Sequence, residues 1–335
     1  MSKIIRHIEI VRSTIPSLSS LSAPSATAIQ RVLSEHYSDA KITLLNDLND
    51  LDMLIERKPD LVFLGLKYIF KDKAKSEEKI WITEYLESKG IACTGSTSLA
   101  HKLELDKSLA KQCVIDAGLV TSPFYVAKQH SNVLNQSDSL VFPMFVKPSD
   151  RGGGLGVDRY SVVHNIDQLN TKVASISLNH NADSLVEQYL SGREFSVAIL
   201  SDSETGVLHT MPLELIAPLN NNGDRLLSSD IKEADSENVI PITDEKLALS
   251  ISILALSVFR ALGARDYGRI DIRLDKNGVP NFLEANLIPS LIENYGSFAK
   301  ACMLHKNLEH TEMIIKIAEL AFDRTPEKQQ HLATV

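Results

Sequence analysis

The fold is decided by one stretch of the chain, Tyr267-Gly-Arg-Ile-Asp-Ile-Arg-Leu-Asp-Lys-Asn-Gly-Val-Pro-Asn-Phe-Leu-Glu-Ala-Asn-Leu287. Polar and apolar residues alternate in its two halves, which is the pattern of strands that bury one face. Between the halves lies Asn277-Gly278, a dipeptide typical of a two-residue hairpin turn in which both central residues have positive φ. The stretch therefore predicts an antiparallel hairpin.

The alternation also assigns each side chain of the hairpin to one of its two faces. One face is predicted to carry Arg269, Asp271, Arg273, Phe282, Glu284 and Asn286. The other face is predicted to carry the apolar set Ile270, Ile272, Leu274, Leu283, Ala285 and Leu287. The second set suits a buried core, and the first set suits a site or solvent.

A turn at Asn277-Gly278 pairs Asp271 with Glu284 and Arg269 with Asn286. Two carboxylates directly opposite each other destabilise an antiparallel pair, in which opposite charges would contribute about 0.2–1 kcal/mol. A hard cation between them removes the repulsion, and two carboxylates with an amide oxygen suit Mg²⁺, which takes further ligands from water and nucleotide phosphates. We therefore expect Asp271, Glu284 and Asn286 to bind metal; the alternative is a solvated strand in which Arg269 offsets the acids.

A glycine-rich loop follows another predicted strand, in Met144-Phe-Val-Lys-Pro-Ser-Asp-Arg-Gly-Gly-Gly-Leu-Gly-Val157. Such a loop lets backbone N–H groups approach an anion without Cβ clashes. It is neither a Walker A loop, because no Lys-Ser/Thr follows, nor a Rossmann fingerprint, because the glycine spacing differs. The loop is either a cover for phosphates or a flexible surface loop.

Charged residues accompany this loop. Lys147 lies at the end of its strand and Lys107 at the start of a predicted helix, and each alone would be expected in solvent. Glu187-Gln-Tyr-Leu190, followed by Ser-Gly-Arg-Glu194, places two acids where one strand turns into the next. The two acids are either surface residues of the turn or acceptors for an adenine amine and ribose hydroxyl groups.

The remaining sequence divides into units. A β-branched run at 4–11, helical spacing at 28–36 and 78–88, and a buried run at 61–66 predict an open parallel sheet with flanking helices. A serine-rich stretch, 13–25, follows the first strand, where such sheets place ligand loops. We predict an N-terminal α/β domain at 1–103, a central domain at 104–190, a C-terminal domain at 191–325 and a frayed tail at 326–335.

Composition limits the function classes. The chain has 335 residues and a net charge of −8, which argues against general nucleic-acid binding because that requires a basic face. Cys93, Cys113 and Cys302 lack metal-site spacing and predict free thiols. Neither a signal peptide nor an apolar run long enough for a bilayer is visible, so we expect a cytoplasmic protein without membrane partners.

In this order the motifs resemble the ATP-grasp superfamily, and within it the D-alanine–D-alanine ligase family. The resemblance runs from about Gly95 to Pro289. Its motifs are Thr94-Gly-Ser, Leu-Asp-Lys107, Val-Lys147-Pro-Ser with the glycine loop, Val-Glu187-Gln-Tyr-Leu-Ser-Gly-x-Glu194-Phe, Gly-Arg269-Ile-Asp271 and Leu-Glu284-Ala-Asn286. It implies an α/β ATP-grasp fold, in which an N-terminal open parallel α/β domain is followed by two α+β domains that clasp ATP.

The resemblance also implies cofactors and residue roles: ATP, and two Mg²⁺ ions that Mn²⁺ can replace. Nucleotide binding would fall to Lys107, Lys147, Gly153, Gly154, Glu187, Gln188, Tyr189, Leu190 and Glu194. Asp271, Glu284 and Asn286 match the family's metal ligands. Arg269 would be catalytic, steadying the substrate carboxylate and later intermediates, and Lys232 would reach the γ-phosphate.

The activity implied is that of an ADP-forming ligase, which joins a small-molecule carboxylate and an amine, expected to be amino acids, through an acyl phosphate. A homodimer is the family expectation. Three positions depart from the family. No acid lies in 13–25 to receive a substrate amine, Gly153 and Gly154 replace paired serines, and Asn286-Leu-Ile-Pro-Ser290 ends in serine, with Tyr295 near a family serine.

Because the ATP and metal positions match while the substrate positions differ, the sequence favours a ligase of specialised or amino-acid-derived metabolites. Two alternatives remain. One is a D-alanine–D-alanine ligase of cell-wall synthesis with a diverged pocket. The other is an inactive ATP-binding regulatory protein, which would be expected to have lost its metal ligands.

Overall fold

The computed structural model describes residues 3–72, 78–129, 140–152, 154–219, 223–227, 237–293 and 295–324. Three of the sequence predictions, Gly153, Lys232 and the tail at 326–335, lie outside these residues. No helix of the described part is both long and apolar enough to span a bilayer.

The N-terminal unit is built on a four-stranded parallel sheet. Its elements are β1 (Ile4–Arg12), α1 (Ala23–His36), β2 (Tyr37–Leu44), α2 (Leu48–Glu56), β3 (Leu61–Leu64), β4 (Tyr68–Phe70), β5 (Lys79–Trp81), α3 (Ile82–Ser88) and β6 (Ala92–Cys93). The sheet order is β2-β1-β3-β6, and β4 pairs with β5 separately. The helix predicted at 78–88 begins only at Ile82, because its first residues form the antiparallel partner of β4.

The central unit carries the strand that leads into the glycine loop. Its elements are α4 (Ser98–Leu105), α5 (Lys107–Asp116), β7 (Phe124–Ala127), β8 (Met144–Pro148), β9 (Val162–Val163), α6 (Ile166–His180) and β10 (Ser184–Gln188). The strands form an antiparallel sheet in the order β7-β10-β8-β9. Helix α6 packs Leu169, Val173 and Ile176 against this sheet, which leaves the loop after β8 at its edge.

The C-terminal unit is a five-stranded antiparallel sheet between helices. Its elements are β11 (Glu194–Ser201), β12 (Leu208–Ile216), β13 (Asn238–Pro241), α7 (Glu245–Ala261), β14 (Tyr267–Leu274), β15 (Pro280–Asn286), α8 (Ser297–Lys306) and α9 (His310–Arg324). The order is β13-β12-β11-β14-β15. Along β11 the alternation separates the faces: Val197 and Ile199 pack with α7, whereas Ala198 and Leu200 join the core that contains α8 and α9.

The turn of the β14–β15 hairpin differs from the prediction. The Asp275 N–H donates to the Val279 carbonyl at 2.9 Å, so the turn has three residues rather than two. Gly278 alone of the predicted pair has positive φ, at 81°. The pairs next to the turn are therefore shifted by one residue from the prediction: Leu274 faces Pro280 and Ile272 faces Phe282.

A β-bulge at Leu283 restores the predicted register beyond this point. Asp271 faces Glu284 and Arg269 faces Asn286, as predicted. The bulge also corrects two face assignments. Phe282 is fully buried in the core with Ile272, whereas Leu283 lines a cavity on the polar side. The extra residue in β15 moves these two side chains to the faces opposite those predicted.

Candidate nucleotide and metal site

A cavity of about 220 Å³ lies between the central sheet and the C-terminal sheet. Every predicted nucleotide, metal and catalytic residue that the structure describes lines it, except Asn286, which contacts Asp271 behind the cavity wall. The fold brings them together because β8 and β10 present one wall and the polar faces of β11, β14 and β15 present the other.

Glu187 lies at the centre of the first wall, between two lysines. Its carboxylate is 2.6 Å from the amine of Lys111 and 2.9 Å from that of Lys147. Burial alone would raise the pKa of Glu187, but the two lysines lower it to about 2. Lys111 also donates to Thr121 Oγ1 at 2.7 Å and to Ser122 Oγ at 3.0 Å. Glu187 is therefore a fixed anion at neutral pH.

The three lysines beside Glu187 and the cavity have pKa values shifted in different directions. Burial lowers the pKa of Lys111, which is completely buried, more than Glu187 raises it. Burial also lowers the pKa of Lys107, whose amine donates to the Arg151 carbonyl oxygen. For Lys147 burial is outweighed by Glu187 and then by Glu284, 3.9 Å away, so its pKa is raised.

The described part of the glycine loop is held in place from outside the cavity. Gly154 has a φ of 77° and lines the cavity, so its backbone faces the space between the two sheets. Lys172 of α6 donates to the Gly156 carbonyl at 3.0 Å, and Arg151 donates to the His180 carbonyl at 2.9 Å. The loop therefore has fixed ends on either side of Gly154.

The 187–190 segment contributes mainly backbone and apolar surface. The side-chain amide of Gln188 is occupied with the neighbouring loop, since it donates to Val141 O at 2.9 Å and to Pro143 O at 3.1 Å. Leu190 and Leu283 line the same cavity, together with Phe145, Leu226 and Leu227. This end offers the apolar surface that a nucleobase needs, with Glu187 at its border.

Glu194 stands at the neighbouring edge, directly across the β11–β14 ladder from Arg273. Arg273 Nη1 donates to the Glu194 carboxylate at 3.2 Å, and Arg273 Nη2 donates to the hydroxyl of Tyr189 at 3.1 Å. Gly192 lets β11 start this close to β14, because a Cβ there would lie 2.5 Å from the Leu274 carbonyl oxygen.

The predicted metal ligands lie on the second wall. Asp271 accepts two hydrogen bonds of 2.9 Å from Arg269, one of 2.8 Å from Ser196 and one of 3.1 Å from the Asn286 amide. Glu284 lies across the strand pair and opens onto the cavity. Two carboxylates and one amide form an incomplete, all-oxygen ligand set, which fits Mg²⁺ that keeps waters and binds phosphates.

The described residues contain no group of three or more His, Cys, Asp and Glu side chains that could hold a metal ion. The predicted ligand set of two acids and an amide is not such a group, because asparagine is not one of those four residue types. The guanidinium of Arg269 offsets the charge of Asp271, and the Lys147 amine lies 3.9 Å from the Glu284 carboxylate.

Beyond Arg269 the cavity ends at Ser290, Tyr295 and Ser297. Arg269 Nη1 donates to Ser297 Oγ at 3.3 Å, and Ser297 Oγ is 3.0 Å from that of Ser196. Within the described residues, none from the predicted domain 1–103 lines the cavity. In its serine-rich stretch, Ser13 and Thr14 instead donate to the side chain of Asn46, at 2.9 Å and 2.7 Å.

Three residues of the site were not predicted. Lys111 lies one helical turn after Lys107, and that spacing is a signal for a shared face. Arg273 was placed on the correct face by its alternation with Asp271, but its partners lie in distant segments. Ser297 begins α8, and no local pattern indicates that it meets Arg269.

Comparison with known proteins gives the same picture. The family model described as D-ala D-ala ligase C-terminus matches residues 113–319. An uncharacterized protein, y4sG of Sinorhizobium fredii, is 34% identical over 222 residues, which are 65% of this chain and 63% of that protein. The D-alanine–D-alanine ligase of Methylacidiphilum infernorum is 26% identical over 322 residues, covering 95% of this chain and 96% of its own.

The fold also matches solved structures. The D-alanine–D-alanine ligase of Bacillus anthracis in complex with ATP superposes with a TM-score of 0.73 at 19% identity, covering 96% of this chain and 97% of its own. That of Coxiella burnetii superposes with a TM-score of 0.69 at 16% identity, covering 98% and 97%. At such identities the match establishes the ATP-grasp architecture.

Proposed function

The chain belongs to the D-alanine–D-alanine ligase family of the ATP-grasp superfamily, and we propose that it is an ADP-forming ligase that uses Mg-ATP to join a carboxylate to an amine. The observation that carries this proposal is one cavity lined by Glu187 and Glu194 and also by Arg269, Asp271 and Glu284. A nucleotide spanning that cavity would place its phosphates beside the acids and the guanidinium.

The nucleotide would be held by the first wall together with Glu194 of the second wall. Glu187 accepts a hydrogen bond from the exocyclic amine of adenine. The backbone of 189–190 and the apolar side chains border the adenine ring. Glu194 accepts hydrogen bonds from the ribose hydroxyl groups. Lys107 and Lys147 face the phosphates, and the loop around Gly154 covers them. These residue roles, with those proposed for Gly153 and Lys232, follow from family position and from the cavity geometry.

The chemical step would take place at the second wall. Asp271, Glu284 and Asn286 are the residues suited to hold Mg²⁺, which would offset charge on the transferring phosphoryl group. The substrate carboxylate attacks the γ-phosphorus, so ADP leaves and an acyl phosphate forms. The amine then attacks the carbonyl carbon and phosphate leaves. Arg269, anchored between Asp271 and Ser297, stabilises the oxyanion of that second step.

We further propose that the product is a specialised, amino-acid-derived compound. The support is the composition of two segments: the stretch 13–25 has no acid to receive an ammonium group, and Ser290 and Tyr295 line the cavity. A D-alanine–D-alanine ligase is the second candidate, favoured by the names of relatives such as that of Methylacidiphilum infernorum. Loss of catalysis is disfavoured, because Arg269, Asp271, Glu284 and Asn286 are all present. The homodimer and the cytoplasmic location stay predictions.

The test is Mg-dependent ADP release from ATP against a panel of D- and L-amino acids, singly and in pairs. Glu284→Gln is expected to lower turnover at least about 100-fold, as loss of an electrostatic group in such a site does. Glu214→Gln is the matched control, because Glu214 pairs with Arg193 on the same sheet outside the cavity. If ADP forms only with one pair of amino acids, that pair identifies the substrates. If D-alanine alone supports ADP release, the result selects the D-alanine–D-alanine ligase. Mg-dependent turnover that survives in Glu284→Gln would overturn the metal assignment.

A further inference from the structure

Arg273 is a nearly buried arginine, 6% exposed, at the cavity edge. Its guanidinium is held by four acceptors in four different places. Besides Glu194 and the Tyr189 hydroxyl, it donates to the Gly192 carbonyl at 3.1 Å and to the Arg225 carbonyl at 2.9 Å. An arginine has five N–H donors in a rigid plane, so four fixed acceptors leave it one orientation.

We propose that Arg273 is a positioning residue that fixes Glu194 as the acceptor for the ribose hydroxyl groups, and that it thereby sets the preference for ribonucleotides over deoxyribonucleotides. This inference rests on the proposed ATP binding, and it adds a residue and a specificity to it. Arg273 acts through Glu194 and makes no contact with the reacting atoms.

Arg273 orders the Glu194 carboxylate before a nucleotide binds. A free glutamate side chain at a cavity edge has several rotamers, and ordering it on binding costs free energy. Here the cross-strand guanidinium holds one orientation before the nucleotide arrives. A hydroxyl group that donates to an ionised, fixed carboxylate makes a charge-assisted hydrogen bond, which is about twice as strong as a neutral one.

The other contacts of Arg273 shape the same part of the cavity. The guanidinium lies over the Tyr189 ring, 5.0 Å from its centroid, and the Tyr189 hydroxyl donates to the Arg225 carbonyl at 3.1 Å. Arg225 precedes Leu226 and Leu227, which line the cavity. Removal of Arg273 would therefore loosen the cavity wall as well as free Glu194, and the experiment must separate these effects.

The ratio of two dissociation constants separates them. A looser wall weakens Mg-ATP and Mg-2′-deoxy-ATP equally, whereas a misplaced Glu194 weakens Mg-ATP more, because only that nucleotide has the 2′-hydroxyl group. Arg193→Met is the matched control, since Arg193 makes a similar pair with Glu214, 2.6 Å apart, away from the cavity. Both ion pairs join the beginning of β11 to a neighbouring strand, since Arg193 and Glu194 are adjacent and their partners lie in β12 and β14.

Binding of the two nucleotides would be measured by calorimetry for the wild type, Arg273→Met, Glu194→Gln and the double variant. We expect the wild type to prefer Mg-ATP by about tenfold or more, the value of one charged hydrogen bond. Arg273→Met and Glu194→Gln should each lose most of this preference, the double variant should lose no more, and Arg193→Met should keep it.

Equal weakening of both nucleotides in Arg273→Met, with the preference retained, would show a purely structural role and overturn the inference. So would a wild type that binds both nucleotides equally tightly. A wild type that binds neither would overturn the proposed function together with the inference. Thermal unfolding of each variant would identify any that is not folded, and Arg273→Lys, which keeps a charge beside Glu194, then replaces Arg273→Met.

Discussion

Glu187 shows what one buried charge contributes to this molecule. It is 2% exposed, and its two lysine partners come from different elements, Lys111 from α5 and Lys147 from β8. The carboxylate therefore ties a helix to the sheet that carries the glycine loop. Removing it would leave Lys111 buried without its ion-pair partner and Lys147 with only Glu284, 3.9 Å away, which is among the most destabilising kinds of single change.

Glu187→Gln is expected to lower the free energy of unfolding at neutral pH by about 3–5 kcal/mol. The folded-state pKa of Glu187 is lowered from 4.5 to about 2, so its stabilising contribution is present above pH 4.5 and is lost as the pH falls toward 2. Urea unfolding at pH 7, 5, 4 and 3 should thus show the difference between variant and wild type shrinking below pH 4.5.

Glu84→Gln provides the comparison for this pH series. Glu84 pairs with Lys102 at 2.8 Å, but its side chain is 61% exposed, and solvent screens such pairs. The Glu84 variant should therefore follow the wild type closely at each pH. If the Glu187 variant stays less stable than the wild type by a constant free energy of unfolding down to pH 3, the ionised Glu187 carboxylate is not the cause of the difference.

Arg269→Ala is expected to lower the rate of ADP formation by about 100- to 1,000-fold while changing Mg-ATP affinity less than about threefold. The reason is that Arg269 donates hydrogen bonds to Asp271 and Ser297, in the part of the cavity proposed for the chemical step. Single-turnover kinetics with the substrate pair from the panel, alongside nucleotide titration, would check this. An effect confined to nucleotide affinity would count against the role.

At the level of elements, the β14–β15 hairpin shows how far the sequence could predict the site. The pairing of Asp271 with Glu284 was predicted correctly from a turn that the structure does not have. The three-residue turn shifts the register by one residue, and the bulge at Leu283 shifts it back. Alternation predicts faces, but nothing in the local sequence reports a bulge, so the faces of Phe282 and Leu283 were predicted wrongly.

The same limit applies to the other elements. The strands predicted at 4–11 and 61–66 agree with β1 and β3 to within one or two residues at each end. The sequence predicts a helix where strand β5 lies. The strand depends on its pairing with β4, which local periodicity does not reveal. Lys111 and Arg273 escaped prediction for a related reason, since their roles depend on partners from other strands and loops.

Two substitutions in the turn distinguish the observed turn from the predicted one. Gly278→Ala should lower the free energy of unfolding by about 1–2 kcal/mol, because Gly278 has a φ of 81° and a side chain strains that conformation. Asn277→Ala should change the free energy of unfolding little, because Asn277 is not among the described residues with positive φ. Denaturant unfolding measures both, and equal losses would support a two-residue turn instead.

At the scale of the whole molecule, the first and last predicted domains share a core. Helix α9 packs Met313, Ile314 and Ile317 into a cluster that also holds Ile8 and Phe63 of the parallel sheet. The same cluster includes residues of β11 and β12 from the C-terminal sheet. The boundaries proposed at 103 and 191 therefore separate sequence segments that are joined by common apolar packing.

Ile317→Ala is expected to lower the free energy of unfolding by about 2–5 kcal/mol, since Ile317 is fully buried. Because the core is shared, amide hydrogen exchange should accelerate in β1 and β3 as well as in α9. Ile253→Ala on α7, at a residue 57% exposed, should change the stability by less than about 0.5 kcal/mol. Unaltered protection of β1 and β3 in the Ile317 variant would argue for independent units.

The low pKa of Lys107 has a consequence for covalent chemistry. At neutral pH an amine with a lowered pKa is unprotonated more often than a surface lysine, and the unprotonated amine is the nucleophile. Lys111 is sealed from the cavity, and the raised pKa of Lys147 keeps its amine charged. A small acylating reagent entering the cavity would therefore label Lys107 first, and a bound nucleotide would protect it. This selectivity offers a starting point for irreversible inhibitors that need no knowledge of the amino-acid substrates.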